Sequence, residues 1–296
     1  MVVAVDRGRW TCAPDSDPEL RVTAMRAREL GRTPVVVGDR VGLVGEVSGE
    51  PDQLARIVRV DERSSVLRRT ADDTDPYERV VVANAEQLFI VASLADPPPR
   101  TGLIDRCLVA GYAGGLEPVL CLTKRDLAAP DAVQERYAAL DLPVLVTAPD
   151  IGVQEVRQRL AGRISVLVGH SGVGKSTLVN RLVPDADRTT GQVSGVGKGR
   201  HTSASAVALP LPLVGGEGGW VVDTPGIRSF GLAHVTPDNV VRAFGDLAEA
   251  IEDCPRGCTH LGPPADPECA LDELDGAARR RAMSVRALLT ALAEPG

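Results

Sequence analysis

The segment from Gly169 to Thr177 carries the residue types of a phosphate-binding loop. Its sequence, GHSGVGKST, fits the pattern G-x-x-x-x-G-K-[ST], in which glycines let backbone N–H groups surround phosphate oxygens. In that pattern Lys175 would contact the β- and γ-phosphates, and the hydroxyl of Ser176 would coordinate Mg²⁺. The alternative is a glycine-rich turn that binds no ligand. The candidate nucleotide-binding residues of the loop are Gly169, His170, Ser171, Gly172, Val173, Gly174, Lys175, Ser176 and Thr177.

The elements around this loop are those that the pattern requires. Residues 164–168 are an apolar run that predicts a buried strand, and residues 178–183 predict a helix. The positive end of that helix would point at the phosphates. Upstream, apolar runs alternate with helix-period segments, which predicts strands at 87–92, 118–122 and 143–146 and helices at 103–110, 133–140 and 153–160. This alternation favours an α/β fold with a parallel sheet, whose ligands bind at the carboxyl ends of the strands.

Two such strand ends carry residues that could recognise guanine. The sequence Thr123-Lys124-Arg125-Asp126 matches the guanine-reading pattern [NT]-K-x-D of GTPases, although Asn is commoner than Thr at its first position. The Asp126 carboxylate would accept hydrogen bonds from N1–H and N2–H₂ of guanine, a donor pair that adenine lacks. Thr147 and Ala148 stand where GTPases make a backbone contact to the guanine carbonyl. An ordinary strand-end loop is the alternative for both segments.

A nucleotide switch is predicted downstream of the phosphate loop. Residues 189–202 are rich in glycine and end at Thr202, which would close onto Mg²⁺ when a γ-phosphate is present. The predicted strand 220–222 leads into Asp223-Thr-Pro-Gly226, a D-x-x-G motif. Asp223 would hold Mg²⁺ through a water molecule, and the N–H of Gly226 would sense the γ-phosphate. A flexible surface hairpin is the alternative for the first segment.

The residue that orients the attacking water is not the usual one. Familiar GTPases have Gln after the D-x-x-G glycine, whereas this chain has Ile227, whose apolar side chain cannot orient water. His201 is the nearby candidate, because a histidine can orient or deprotonate water near neutral pH. A histidine that faces solvent or RNA is the alternative. The candidate catalytic residues are thus Lys175, His201 and Thr202.

Three cysteines and a histidine cluster near the end of the chain: Cys254, Cys258, His260 and Cys269. Three thiolates and one imidazole would complete a closed, tetrahedral Zn²⁺ site of the structural kind. In a cytosolic chain such clustering favours a metal over disulfides. The alternative is a set of buried groups that bind no metal.

Composition limits the classes of function. The chain has 296 residues and a net charge of −7, which argues against a globally basic nucleic-acid binder. No apolar run is long enough to span a bilayer and the N-terminus lacks signal-peptide features, so we expect a cytoplasmic protein without a membrane partner. Short alternating segments predict a small β-barrel in residues 1–83, with strands at 2–5, 20–23, 35–37, 41–44 and 55–60. Its arginines suit either RNA contact or a solvated strand face.

The order of the motifs is permuted, because the guanine-reading segments precede the phosphate loop instead of following it. With a barrel before it and a Cys/His cluster after it, the chain closely resembles the RsgA family, the GTPases that depend on the small ribosomal subunit. The resemblance implies three parts: an OB-fold barrel at 1–83, a circularly permuted GTPase domain at 84–235, and a zinc-binding helical domain at 236–296. In the chain, this order joins the guanine-reading half to the barrel and the switch half to the zinc-binding part.

The resemblance also implies a function. The family hydrolyses GTP to GDP and phosphate, stimulated by the small subunit, during late maturation of that subunit. The implied partners are the subunit with its rRNA and GTP or GDP, with Mg²⁺ and one Zn²⁺ as cofactors, and a monomeric protein is expected. The family signature G-x-H-T-T appears as residues 199–203, with Ser203 in place of the last Thr, and a histidine at the position of His201 is its proposed hydrolytic residue. The zinc ligands are spaced C-x₃-C-x-H-x₈-C, whereas the family usually has C-x₄-C-x-H-x₅-C.

Two other classes of function remain open on the sequence alone. One is an ATP-using P-loop enzyme such as a small kinase, which Asp126 disfavours because it requires a preference for GTP. The other is a nucleotide-gated RNA-binding module in which hydrolysis is incidental.

Overall fold

We describe the chain from a computed structural model that covers residues 1–31, 33–70, 77–184, 206–225 and 231–293. The strands in this part of the chain are β1 (Val2–Asp6), β2 (Arg9–Cys12), β3 (Val22–Arg26), β4 (Val41–Gly45), β5 (Ala55–Val60), β6 (Val66–Arg69), β7 (Arg79–Ala83), β8 (Gln87–Ser93), β9 (Glu117–Thr123), β10 (Val144–Val146), β11 (Ile164–Gly169), β12 (Val207–Pro210) and β13 (Trp220–Asp223). The α-helices are α1 (Thr101–Ala113), α2 (Asp131–Tyr137), α3 (Val153–Leu160), α4 (Lys175–Leu182), α5 (Pro237–Val241), α6 (Gly245–Ala250) and α7 (Gly276–Ala293). Short 3₁₀ helices lie at Arg28–Leu30, Ala138–Leu140, Ile251–Asp253 and Ala270–Asp272.

A parallel sheet forms the centre of the molecule, as the alternation of strands and helices predicts. Strands β10, β9, β8, β11 and β13 lie side by side in that order, and each neighbouring pair is parallel. Every residue of β8 is buried, which is expected of a strand covered on both faces. On one face Leu88 and Ile90 pack in the same core as α1, and on the other Phe89 packs in the same core as α3 and α4. The sheet is mixed as a whole, because β12 runs antiparallel to β13.

The first five strands continue this sheet. Beyond β12 the order is β1-β2-β3-β5-β4, with β3 and β5 parallel and the other neighbours antiparallel. The chain just before β4 returns to β1: Val2 donates its N–H to Asp39 O at 2.8 Å, and Gly38 donates to Val2 O at 2.9 Å. Ile57 lies fully buried in the small apolar core that these strands enclose. The first strand also reaches the parallel sheet, where Ala4 lies opposite Val207 of β12.

The C-terminal segment packs on the opposite half of the parallel sheet. Val285 and Leu288 of α7 lie in the same core as Ile104 and Leu108 of α1. The guanidinium of Arg281 on α7 donates to Asp246 and, across to the end of the 3₁₀ helix at 138–140, to Asp141. Within the described residues, no helix combines the length and apolar character needed to cross a bilayer.

Candidate nucleotide site and metal cluster

The phosphate loop follows β11, between two parallel neighbours. It ends at Gly174, whose φ of 90° is the left-handed conformation that favours glycine, and α4 begins at Lys175. A Cβ on Gly169 would lie 2.5 Å from the carbonyl oxygen of Val91 on β8, so the loop starts in close contact with the neighbouring strand. The side chain of Ser176 is exposed at the first turn of α4. The predicted strand, loop and helix are therefore present, and the helix begins three residues earlier than predicted.

Lys175 and Asp223 meet at this loop. The lysine is buried, and its Nζ donates to the Asp223 carboxylate and, at 2.5 Å, to the carbonyl oxygen of Thr224. The contact arises because β11 and β13 are paired in parallel, which sets Leu167 opposite Asp223. An ammonium and a partly exposed carboxylate at one strand edge are suited to a phosphate and to a cation respectively. The structure thus brings the lysine of the phosphate loop to the D-x-x-G aspartate.

Thr123 joins the guanine-reading segment to the phosphate loop. Its buried hydroxyl donates to Val173 O at 2.6 Å. The next residue, Lys124, has a φ of 60°, and its ammonium donates to the carbonyl oxygen of Asp96. Asp126 is exposed beyond them. Threonine in place of the commoner asparagine therefore still provides a hydrogen bond between the two loops.

The second guanine-reading segment is fixed to the first. Arg125 donates its backbone N–H to Thr147 O at 3.1 Å, and Thr147 donates to Leu122 O at 2.7 Å. The N–H of Ala148, which we expect to meet the guanine carbonyl, is directed at Ile151 O at a distance of 3.2 Å. The carbonyl oxygen of Ala148 accepts from Arg181 of α4 at 2.8 Å. Sequence reasoning missed this arginine, because nothing in the chain marks a contact between residues 33 positions apart.

Several predicted switch residues lie outside the part of the chain that the structure describes. They remain predictions from the sequence. Among them are His201, the candidate for positioning water, and Thr202, the candidate magnesium ligand of the switch. These residues are Lys198, Gly199, Arg200, His201, Thr202, Ser203, Gly226 and Ile227.

The predicted zinc ligands come together. The ligand atoms of Cys254, Cys258, His260 and Cys269 all lie within 4.8 Å of one another, so the cluster could hold a zinc ion. Nδ1 of the buried histidine lies 3.6 Å from Sγ of Cys254, while Nε2 lies 3.0 Å from a carboxylate oxygen of Asp238. A carboxylate on the outer nitrogen is the usual way in which a metal-binding histidine is oriented. Burial raises the pKa of the Cys258 thiol to about 12, so a metal must displace its proton in order to bind.

Asp266 shapes the long loop between His260 and Cys269. Its carboxylate accepts from the N–H of Thr259 at 3.0 Å, from the N–H of Leu261 at 3.1 Å and from the Thr259 hydroxyl at 2.5 Å. The hydroxyl bond is the main reason why the pKa of Asp266 is lowered. These bonds fold back the eight-residue loop between His260 and Cys269. Although this loop is longer than the five residues usual in the family, the ligand atoms still come together.

A further cation supports the cluster from α7. Arg286 donates from Nε to the carbonyl oxygen of His260 at 2.9 Å and from Nη2 to Sγ of Cys269 at 3.3 Å. Hydrogen bonds to a thiolate sulfur stabilise its negative charge. Sequence reasoning missed the support that Asp238, Asp266 and Arg286 give to the cluster. Of the three, only Asp266 lies between the ligands in the sequence, where a supporting residue could have been sought.

Comparison with known proteins agrees with these motifs. The family model described as RsgA GTPase matches residues 60–233. The small ribosomal subunit biogenesis GTPase RsgA of Chlorobaculum tepidum is 38% identical over 275 residues, covering 89% of this chain and 87% of the relative. Its namesake in Paraburkholderia phytofirmans is 34% identical over 305 residues, covering 98% of this chain and 91% of the relative.

Solved structures extend the likeness to the fold. YjeQ from Thermotoga maritima matches with a TM-score of 0.70 and 25% identity, over 99% of this chain and 97% of that one. YloQ, a circularly permuted GTPase, matches with a TM-score of 0.64 and 20% identity, over 98% of this chain and 93% of that one. Together with the order of the motifs along the sheet, these likenesses show that the chain belongs to the RsgA GTPase family and is a GTP hydrolase with the circularly permuted GTPase fold.

Proposed function

We propose that this GTPase binds the small ribosomal subunit and that the subunit stimulates its hydrolysis of GTP during late maturation. Hydrolysis then releases the factor from the subunit. The observation that supports the proposal is the length of the match. A relative named as a small ribosomal subunit biogenesis GTPase aligns with 98% of the chain, so the alignment includes the flanking parts.

The nucleotide would lie across the carboxyl ends of the parallel strands. In this proposal the phosphate loop, residues 169–177, surrounds the phosphates, and Lys175 exchanges its contact with Asp223 for the β- and γ-phosphates. Asp126 reads the guanine edge, and the link from Thr123 to Val173 keeps the base and phosphate subsites in register. Hydrogen-bonded loops of this kind let one ligand order both ends of its site.

The donor set at the phosphate end fits magnesium. Ser176, Thr202 and, through a water molecule, Asp223 would hold Mg²⁺, which neutralises charge between the β- and γ-phosphates. The exposed hydroxyl of Ser176 and the partly exposed carboxylate of Asp223 support this assignment. Thr202 and Gly226 complete the switch in the proposal, and His201 orients the attacking water when the subunit is bound.

The Cys/His cluster would hold one structural zinc ion. Three sulfur atoms and one imidazole nitrogen within 4.8 Å make a closed set with no position left for a substrate. The ion would fasten α5, which carries Asp238, to the loop before α7, which carries Arg286. Its role is to hold the proposed helical domain, 236–296, in one shape.

The first strands support an OB-type barrel at 1–83, ahead of the permuted GTPase domain at 84–235. The supporting features are the strand order β1-β2-β3-β5-β4, the parallel pairing of β3 with β5, and the return of Asp39 to Val2. Arg56 and Arg59 lie exposed on its β5 strand, which suits contact with rRNA phosphates. In solution we expect a monomer.

Sedimentation tests the partner. The purified protein is centrifuged with small or with large ribosomal subunits, in the presence of GDP or a non-hydrolysable GTP analogue. We expect it to travel with small subunits when the analogue is bound and to stay in the supernatant with GDP. Equal sedimentation with both subunits, or with both nucleotides, would contradict the proposal.

The same assay separates a driving role of hydrolysis from an incidental one. With GTP, the His201→Ala variant should stay on the small subunit, because hydrolysis no longer triggers release. If this variant leaves the subunit as fast as the parent protein, the chain is a nucleotide-gated RNA-binding module and hydrolysis is incidental.

A further inference from the structure

Arg181 connects the phosphate-loop helix to the second guanine-reading segment. It lies in the last turn of α4, whose first residue is Lys175. From there its Nη1 donates to the carbonyl oxygen of Ala148 at 2.8 Å. Its own carbonyl oxygen accepts from Arg157 of α3 at 2.5 Å, which holds the end of α4 against the neighbouring helix.

The turn that Arg181 contacts is closed on itself. Ala148 and Ile151 exchange two backbone hydrogen bonds, N–H to O at 3.2 Å in one direction and 3.4 Å in the other. Both distances are at or beyond the long end of the range for N–H···O bonds. The exit of the turn is fixed, because Gly152 has a φ of 80° and a Cβ there would overlap the carbonyl oxygen of Val146. The turn can therefore open at the Ala148–Ile151 pair while its exit stays in place.

Opening this pair would affect the N–H and the carbonyl oxygen of Ala148 differently. The N–H of Ala148 would leave Ile151 and become available to a carbonyl oxygen of the base. The carbonyl oxygen of Ala148 would lose the N–H of Ile151, but it keeps the guanidinium of Arg181. Ala148 is half-buried and its oxygen accepts from Arg181 at 2.8 Å, so the arginine leaves this oxygen with a hydrogen-bond partner after opening.

We infer that Arg181 is a positioning residue for recognition of the purine 6-carbonyl. It holds Ala148 by its oxygen while the N–H passes from Ile151 to the base, so the preference for 6-oxopurine nucleotides depends on it. The contact also runs from the helix of the phosphate loop to the base subsite, which links the two ends of the nucleotide. This inference rests on the proposed function, in which residues 147–148 lie at the guanine carbonyl.

The test compares GDP with 6-thio-GDP. The sulfur analogue keeps N1–H and N2–H₂ for Asp126 but replaces the carbonyl oxygen with a weak acceptor. The parent protein should bind GDP about tenfold more tightly, since one backbone hydrogen bond to the base is weakened. In Arg181→Met, a substitution that keeps length and helix propensity, GDP affinity should fall about tenfold while 6-thio-GDP affinity changes less than about twofold.

Two variants make the result specific. Arg181→Lys keeps a donor and should restore part of the preference for GDP. Arg159→Met removes an α3 arginine that pairs with Glu117 at the start of β9, the opposite strand end from the nucleotide loops, and should leave the preference unchanged. Urea unfolding of each variant checks that the fold is intact.

The outcomes distinguish this inference from the function on which it rests. If Arg181→Met weakens both ligands equally, the arginine only supports the fold and the inference is overturned. If the parent protein itself does not distinguish the two ligands, the inference also fails. In that case Asp126→Ala decides the wider question, because loss of GDP binding in that variant would leave the proposed guanine site standing.

Discussion

The ammonium of Lys175 and the carboxylate of Asp223 form an ion pair across 48 residues of chain. Asp223 is the last residue of β13, and Lys175 begins the helix that follows the loop after β11, the parallel neighbour of β13. The pair neutralises a buried lysine, and it also places side by side the two groups that a bound nucleotide and its metal would separate.

Replacing Lys175 by Met should therefore weaken nucleotide binding strongly. The methionine has similar length but cannot donate to phosphate, and each lost bond to a charged group is worth about 1.5–3 kcal/mol, or about 10–100-fold in affinity. Titration of a fluorescent GDP derivative measures the change. Asn180→Gln, at an exposed position on the same helix, serves as a control that should retain the affinity. Unchanged GDP binding by Lys175→Met would refute the placement of the phosphates.

Replacing Asp126 by Asn should change which base is bound. The amide can no longer accept both guanine donors, so GTP affinity should fall about 100-fold, since two bonds to a carboxylate are lost or inverted. Xanthosine triphosphate should gain, because its 2-carbonyl can accept from the new amide. Competition between the two nucleotides gives the ratio directly. Asp131→Asn, at the start of α2, is the matched control and should keep the parent preference for GTP. If Asp126→Asn also keeps that preference, the Asp126 carboxylate does not read guanine.

Asp238 should tune the metal cluster without being a ligand. Its carboxylate orients His260, and loss of such a partner typically lowers metal affinity 10–100-fold. We expect Asp238→Asn to lose zinc to a chelator at correspondingly lower concentration. Glu249→Gln, an exposed carboxylate on α6, should behave like the parent protein. Equal chelator resistance of all three proteins would show that Asp238 plays no part in holding the metal.

Each flanking part contacts the half of the sheet to which it is not joined in the chain, and the first part also contacts the end of α1, where Val66 donates its N–H to Gly114 O at 3.1 Å. Strand β1 pairs through Ala4 with β12, next to the strand that carries Asp223, while α7 packs on α1, next to the guanine-reading segments. Arg281 links α7 to Asp141, before β10, and to Asp246 on α6. Arg281→Met should raise amide hydrogen exchange in α7 and reduce stimulation by small subunits, with little change in basal hydrolysis.

Its exposed neighbour provides the comparison. Arg280→Met alters charge on the same helix without touching Asp141 or Asp246, so exchange in α7 should stay at the parent level. If both variants exchange alike, the ion pairs of Arg281 do not control docking of this helix.

The sequence predicts helices and strands with a strong local pattern better than it predicts elements that depend on long-range contacts. Residues 153–160 and 55–60 form the predicted helix and strand, because their apolar periodicity is strong. The predicted strand at 35–37 is instead a single bridge from Val37 to Val82, since the chain turns sharply at Gly38, where φ is 92°. The sequence does not predict β2, β6, β7 or β12. Strands β2 and β6 are polar at half of their positions, and β12 ends in a proline.

The candidate site shows the same division. The phosphate loop, the guanine-reading segments and the metal ligands have fixed spacings, so the sequence predicts them. Arg181 and Asp238 act on backbone or imidazole groups 33 and 22 positions away, and only the folded chain brings these partners together. The permuted order of the motifs does not prevent this prediction, because parallel strands bring their carboxyl ends together whatever their order in the chain.

The proposed coupling to the ribosome is tested by the rate of GTP hydrolysis of the purified protein with and without purified ribosomal subunits. We predict slow hydrolysis by the protein alone, strong stimulation by small subunits, none by large subunits, and no stimulated rate in His201→Ala. A hydrolysis rate that small subunits leave unchanged would contradict the account.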